Sequence, residues 1–260
     1  MIKKNFSPYG LPEDVKFCKK CVISNQRPSS TVEFKSKDNL KQGIYFDENG
    51  VCDACNYNVI KSKIDWDERE KKLIKLCDKY RKKEGYDCIV PGSGGKDSAY
   101  ASHLLKYKYG MNPLTVTWAP HMYTDIGWKN FTNWIHMGGF DNFLYTPNGK
   151  LHRLLTKLAF ENLLHPFQPF FIGQKIVGPL MALKFNTPLI FYGENNAEYG
   201  NSIDENETPK MDNKFFSIND PNEIYLGGLS INEIIKKYNF KLNEFQPYIP
   251  PPIKEIEKAG

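Results

Sequence analysis

The 260-residue sequence is poor in several things, and each shortage excludes a class of function. No uncharged apolar run approaches the ~20 residues that a membrane-spanning helix needs. The first 17 residues carry lysines but no apolar stretch after them, so they do not read as a secretory signal. The expectation is a soluble, cytoplasmic protein, in which cysteines are thiols or metal ligands before they are disulfides. Histidine is scarce, at five residues, and none has metal-ligand spacing to another. No cysteine follows Cys88, which argues against chemistry that carries sulfur on a late thiol. There is no internal repeat and no low-complexity tract. Basic residues exceed acidic ones by only five, and Lys61–Glu84 alone, with ten basic and six acidic side chains, holds most of that excess. The remainder is nearly neutral, which is weak ground for a nucleic-acid surface.

What is present falls into two textures. Residues 1–62 are rich in turn formers and hold four of the six cysteines, Cys18-x-x-Cys21 and Cys52-x-x-Cys55. Four thiolates in two such knuckles suit a tetrahedral metal, zinc first and an iron–sulfur cluster as the competing reading. Four protein ligands close the coordination shell, so the site reads as structural. Residues 63–85 predict a charged amphipathic connecting helix, with Trp66, Leu73, Cys77 and Tyr80 at helical spacing and Gly85 as its stop. Cys77 and Cys88 read as small core residues.

From residue 86 to 260, short apolar runs alternate with helical patterns. Strands are predicted at 86–91, 113–118, 142–145 and 188–192. Helices are predicted near 97–108, 127–137, 149–164, 172–185 and 230–238. A long polar loop is expected over 196–228, and an irregular proline-rich end. Such alternation implies βαβ units and a parallel sheet covered on both faces.

The most informative stretch is Ser93-Gly94-Gly95-Lys96-Asp97-Ser98, between a predicted strand and a predicted helix. Free N–H groups and the dipole at a helix N-terminus bind phosphate. The glycines permit close backbone approach, Ser93 and Ser98 bring hydroxyls, Lys96 brings charge, and Asp97 suits a magnesium ion. Neither the Walker pattern nor the dinucleotide fingerprint fits: Asp97 follows the lysine, and Gly92, Gly94 and Gly95 have the wrong spacing.

This hexapeptide resembles the signature of the PP-loop ATP pyrophosphatase superfamily. The resemblance implies an α/β, doubly wound parallel sheet of the adenine-nucleotide alpha-hydrolase kind, joined here to a small zinc-ribbon-like N-terminal region. It also implies a reaction in which a substrate oxygen attacks the α-phosphate of ATP and pyrophosphate leaves. Taken with Cys18–Val22, Phe46–Cys55, Thr115–Pro120, Phe171–Lys175 and Tyr192–Gly200, it is similar to the N-acetyl sugar amidotransferase family of surface-polysaccharide and nonulosonic-acid biosynthesis. That implies conversion of an acetamido group to an acetamidino group, with ATP and Mg2+, a structural Zn2+, and ammonia from a separate glutaminase and cyclase-like subunit pair. Position 2 is Ile2, not the N-terminal cysteine of a built-in amidotransferase domain. The chain stops at Gly260, short of the length this resemblance leads one to expect, so a truncated C-terminus is also among the expectations.

Further candidates follow predicted strand ends, beyond which ligands bind in open α/β sheets. Glu194 reads as an acceptor-orienting or magnesium-binding carboxylate, and Asn195 and Asn196 as hydrogen-bonding partners of a sugar or phosphate; Glu198 reads as a weaker member of the same loop. Trp118 reads either as a wall of the nucleotide site or as core. Asp125 is a substrate or metal ligand, or a solvated loop carboxylate. Lys175 neutralises nucleotide phosphate, or is a solvated helix lysine. His121 reads as structural. Two other functions compete with the amidotransferase: a tRNA-modifying PP-loop enzyme of thiolation or lysidine type, and a non-catalytic nucleotide-binding zinc-ribbon module.

Overall fold

The computed structural model describes residues 11–28, 32–35, 43–194 and 210–260. The chain divides into two compact units, Met1–Val32, Asp38–Lys71 and Asn195–Asp212 in the first, and Glu33–Lys37, Lys72–Glu194 and Asn213–Gly260 in the second. No helix among the described residues is long and apolar enough to cross a membrane.

In the first unit, backbone bridges Phe17↔Ser24 and Phe46↔Cys52 tie off two short hairpin-like turns, and helix α1 (Asp53–Lys61) follows. Its small core is Cys18, Ile44 and Cys52, with Ile23, Phe46, Val51 and Ala54 against them. Among the described residues of this unit few large apolar side chains are buried, so cross-linking by a ligand is the available source of stability. Helix α2 (Trp66–Tyr80) continues the chain toward the second unit.

The second unit is a mixed α/β structure. Strands β1 (Cys88–Pro91), β2 (Pro113–Trp118) and β3 (Asp141–Tyr145) form a parallel sheet in the order β1-β2-β3. On the other side of β1, Ile89 N–H donates to Leu189 O and Phe191 N–H to Ile89 O, a parallel bridge at Ile190. The strand predicted over 188–192 is therefore reduced to one bridge. On the β1 side, the next N–H that would extend this ladder, that of Asp87, donates instead to Asn112 O.

With neighbours on both sides, β1 is buried at every residue. Cys88 and Val90 face Leu105, Met111 and Cys77. Leu105 lies in a π-helical turn, Leu104–Lys108, that continues helix α3 (Lys96–His103). Pro91 points the other way, onto helix α6 (Gln168–Lys184), where a Cβ at Gly178 would lie 2.8 Å from its ring. Helices thus lie on both faces. α6 is largely apolar, and Ile172, Ile176 and Val177 are buried along it, as befits a helix packed into a layered core. Helix α4 (Asp125–His136) is capped by Thr124, whose hydroxyl accepts from Gly127 N–H at 3.0 Å. Helix α5 (Gly149–Leu163) is capped by Asn148.

After residue 209 the sequence pattern predicts loop, yet a hairpin forms from β4 (Tyr225–Leu226) and β5 (Leu229–Ser230). Its two-residue turn is Gly227-Gly228, both at positive φ, the geometry a tight hairpin requires. Gly227 also lies so close to α5 that a Cβ would stand 2.6 Å from Leu158. Helix α7 (Ile231–Tyr238) starts with a capping box, Ser230 with Glu233. The proline-rich end is more ordered than expected: a 3-10 turn at Leu242–Tyr248 precedes helix α8 (Ile253–Ala259). Pro252 sits at the α8 N-cap, where a missing N–H costs nothing.

Gln168 joins these parts. It is 3% exposed; its amide donates to Glu33 O (2.8 Å) and Tyr225 O (2.9 Å), and its oxygen accepts from Gly227 N–H (2.9 Å). Replacing it by leucine strands three backbone groups in a dry interior. Gln168→Leu is expected to lower stability by about 2–4 kcal/mol, read as a lower denaturation midpoint in urea.

Candidate functional site

The first unit brings Cys18, Cys21, Cys52 and Cys55 together, with all four sulfurs within 4.8 Å of one another. Cys21 and Cys52 Sγ are 3.6 Å apart. Sulfurs on a tetrahedral ion with bonds of about 2.3 Å stand roughly 3.8 Å from each other, so the cluster is sized for a metal ion such as zinc. The backbone builds this. Lys20 and Cys52 N–H groups each donate to Cys18 Sγ at 3.3 Å. Lys19 N–H donates to Gly50 O, linking the two knuckles. Asp47 accepts from Asn49 N–H (3.0 Å), Val51 N–H (2.9 Å) and the Asn56 amide (2.9 Å), and these bonds, led by that of Val51, lower its pKa.

The thiols do not titrate alike. Burial raises the Cys18 pKa, but the N–H groups of Cys21, Cys52 and Lys20 outweigh it and bring the thiol down to about 6. Cys55 is pushed up to about 12, first by burial and then by its sulfur neighbours. One thiolate forms readily; four in this space require a cation. Val22, just after the first knuckle, has φ +58° although it is β-branched, a strained conformation that persists only when its surroundings impose it.

In the second unit, β1 leads into the glycine-rich turn and then α3. Gly92 N–H donates to Val116 O at 2.9 Å, which ties the start of the turn to β2. A Cβ at Gly92 would overlap the Ser98 side chain. Gly94 has φ +81°, and a Cβ there would stand 2.9 Å from Phe131 Cα, so the turn lies against the backbone of α4. The α3 N-cap is Gly95, which has no side chain to accept from the first-turn amides. Lys96 and Asp97 pair with each other at 2.7 Å, mostly in solvent, where such a pair is worth about 0.2–1 kcal/mol and opens readily. Ser93 is exposed. Ser98 is buried, and its hydroxyl donates to Gly95 O (3.2 Å), shaping the turn.

The bridge to Ile190 carries the chain on to this same edge. A Cβ at Gly193 would lie 2.6 Å from the Asp97 carbonyl carbon and 2.7 Å from Ser98 N, so Glu194 emerges, exposed, beside the turn. Asn195, Asn196 and Glu198 lie outside the described residues. Asp125 is the exposed first residue of α4, the helix against which Gly94 packs. Lys175 is half-buried on α6; its ammonium lies 5.3 Å from the Phe215 ring, and burial lowers its pKa while Glu33 raises it. Its carbonyl accepts from Tyr192 OH at 3.4 Å.

Trp118 is buried at the end of β2. Tyr145 stacks on it at 5.2 Å, and Tyr248 and His152 meet it edge-on. Its Nε1 and the Nε2 of His152 are, among the described residues, the buried side-chain nitrogens without a hydrogen-bond partner. Each such group costs about 1–3 kcal/mol. His121 lies over His152, with ring centroids 4.7 Å apart. The sequence carried no signal for this grouping, because His121, His152 and Tyr248 meet only through folding.

No known protein-family profile matches the chain. An uncharacterized protein of Methanocaldococcus jannaschii is 34% identical over 77 residues, which are 29% of this chain and 27% of that protein. The chain thus spans little more than a quarter of the curated relative it matches.

Two outcomes test these sites. Native mass spectrometry of zinc-supplemented protein is expected to show one bound ion, lost in Cys52→Ser together with the fold of the first unit. Uptake is expected to release protons and to strengthen as pH rises, since Cys55 must ionise to bind. Gly94→Ala is expected to lower stability by about 1–3 kcal/mol through strain and overlap with α4, read as a lower denaturation midpoint in urea.

Proposed function

We propose that the chain is an ATP-dependent, AMP-forming amidotransferase that turns the acetamido group of a sugar into an acetamidino group in surface-glycan biosynthesis. The observation that carries this reading is the meeting of the Gly193–Glu194 segment with the Asp97–Ser98 peptide at the glycine-rich turn. It sets the backbone that carries Glu194 against the first turn of α3, whose N-cap Gly95 has no side chain. The strand order, with helices on both faces, supports a doubly wound PP-loop domain.

In this reading the turn from Ser93 to Ser98 holds the phosphates of ATP. Amides of the first turn of α3 and Lys96, released from Asp97, offset phosphate charge, and Asp97 with Glu194 would hold Mg2+. An amide oxygen is a poor leaving group. Attack of that oxygen on the α-phosphorus expels pyrophosphate and turns the oxygen into part of AMP, a good leaving group. Ammonia, supplied by a separate glutaminase and cyclase-like pair, adds to the same carbon; AMP departs, and the nitrogen sheds a proton. Glu194 orients the acceptor or the incoming ammonia, Lys175 flanks the nucleotide, and Asn195, Asn196 and Asp125 contact the sugar. The chain's contribution is positioning and charge stabilisation. The cysteine cluster, loaded with Zn2+, is structural.

Pyrophosphate release is measured with ATP, magnesium, high ammonium and a panel of N-acetylated sugars, nonulosonic acids and tRNA. Release that depends on one sugar, with a product lighter by the difference between O and NH, is the expected result. Lys96→Met is expected to cut it by about 10²–10³-fold while leaving zinc content unchanged. Release that depends on tRNA alone overturns the reading.

A further inference from the structure

β1 and β2 are parallel, so the glycine-rich turn after β1 and the Trp118–His121 segment at the end of β2 emerge on the same edge of the sheet. Pro91 pairs with Val116, which sets Trp118 only two residues beyond the level at which the turn begins. The turn leads to α3 on one face. The Trp118 ring lies on the other face, against α6, at Gly173, where a Cβ would overlap the indole.

The hydrogen bonds around this ring assign its protons. Tyr248 is fully buried, and its hydroxyl meets His152 Nδ1 at 2.7 Å. If the imidazole donated that bond, the phenol proton would have no acceptor in a dry core. The phenol therefore donates, and His152 carries its own proton on Nε2. Burial, and then the neighbouring His121, lower the His152 pKa to about 4, so the ring is neutral at physiological pH. Thr156 spends its proton on His152 O (2.8 Å), so it accepts from His121 Nε2–H at 3.3 Å. The result is two N–H donors, one indole and one neutral imidazole, in aromatic surroundings with no acceptor for either among the described residues. A site that offers only donors and no charge suits a neutral group with an acceptor oxygen. His121, on an exposed loop, lies over His152 and is held by this Thr156 bond and by the rings of Phe167 and Phe170 at 5.7 and 5.4 Å.

We propose that Trp118 Nε1 and His152 Nε2 form the donor pair of a subsite for the carbonyl oxygen of a neutral acetamido group, with His121 as the ring that moves aside to admit it. The choice of an acetamido group rests on the amidotransferase reading; the need for a neutral acceptor rests on the donor pair itself. The aromatic rings suit the methyl end of such a group, and the subsite opens from the same end of the parallel strands as the turn.

The test uses the whole 15N-labelled chain, loaded with zinc. Trp118 contributes one of four indole N–H resonances, identified by its absence in Trp118→Phe or by sequential assignment of the native chain. N-acetylglucosamine, N-methylacetamide, glucosamine, glucose and ATP with magnesium are added separately. The expected result is a saturable downfield shift of the Trp118 indole and His152 Nε2 protons with the two acetamido probes, and no shift with glucosamine or glucose. His121→Ala is expected to keep that response and to speed solvent exchange of the Trp118 indole on the order of tenfold. An indole that stays silent with both acetamido probes, that responds equally to glucosamine, or that answers only to ATP overturns the subsite. Pyrophosphate release with an acetamido sugar from a chain whose indole is silent removes the subsite and leaves the function. An acetamido-specific shift without pyrophosphate release from any sugar removes the function and leaves the subsite.

Discussion

The second unit depends on parallel pairing along both edges of β1. Ile89 exchanges backbone hydrogen bonds with Leu189 and Phe191 on one side, while Gly92 N–H is held by Val116 on the other. Buried backbone groups must be paired, and a four-residue strand has few bonds with which to set its register. Once that register is set, three chain segments end on one edge of the sheet: the glycine-rich turn after β1, Trp118 after β2, and Gly193–Glu194 after the bridge at Ile190. The close approaches at Gly94 and Gly193 follow from it, because a side chain at either place would push the turn off α4 or the late segment off α3.

The two units solve different physical problems. The second has a core of conventional size, with residues such as Ile89, Ile172, Ile176 and Leu155 fully buried, each worth about 1.5–3 kcal/mol in transfer free energy. The first has little apolar material and gathers four sulfurs instead. There the N–H groups directed at Cys18, the Asp47 turn and the left-handed Val22 all serve to hold thiols at spacings suited to one ion.

Much of this was legible from residue order. The helix over Gly149–Leu163, the strand Pro113–Trp118 and the glycine-rich turn between strand and helix announce themselves through periodicity and turn chemistry. So does the cysteine cluster, because two C-x-x-C knuckles restrict geometry locally. The legible part fails where local signals are weak. The hairpin at Leu226–Leu229 was hidden in a polar stretch, since strands of two residues leave no period to read. The strand expected at 188–192 looked strong from its apolar run, but Asp87 N–H, which a longer ladder would use, is taken by Asn112 O. The prolines near the end read as breakers, yet Pro252 begins a helix.

The sequence alone determined the chemistry available: four thiols in two knuckles, a glycine-rich turn at the head of a helix, and alternating elements that pack as α/β. These are local properties, set by spacing and by backbone preference within a few residues. Only the tertiary structure decided which distant groups meet. It brought Gly193 against the Asp97–Ser98 peptide, enclosed Trp118 with Tyr145 and Tyr248, and placed His121 over His152. It also left two nitrogens in that enclosure without partners. Such meetings are set by sheet register and by the packing of α5 and α6, which no window of sequence contains.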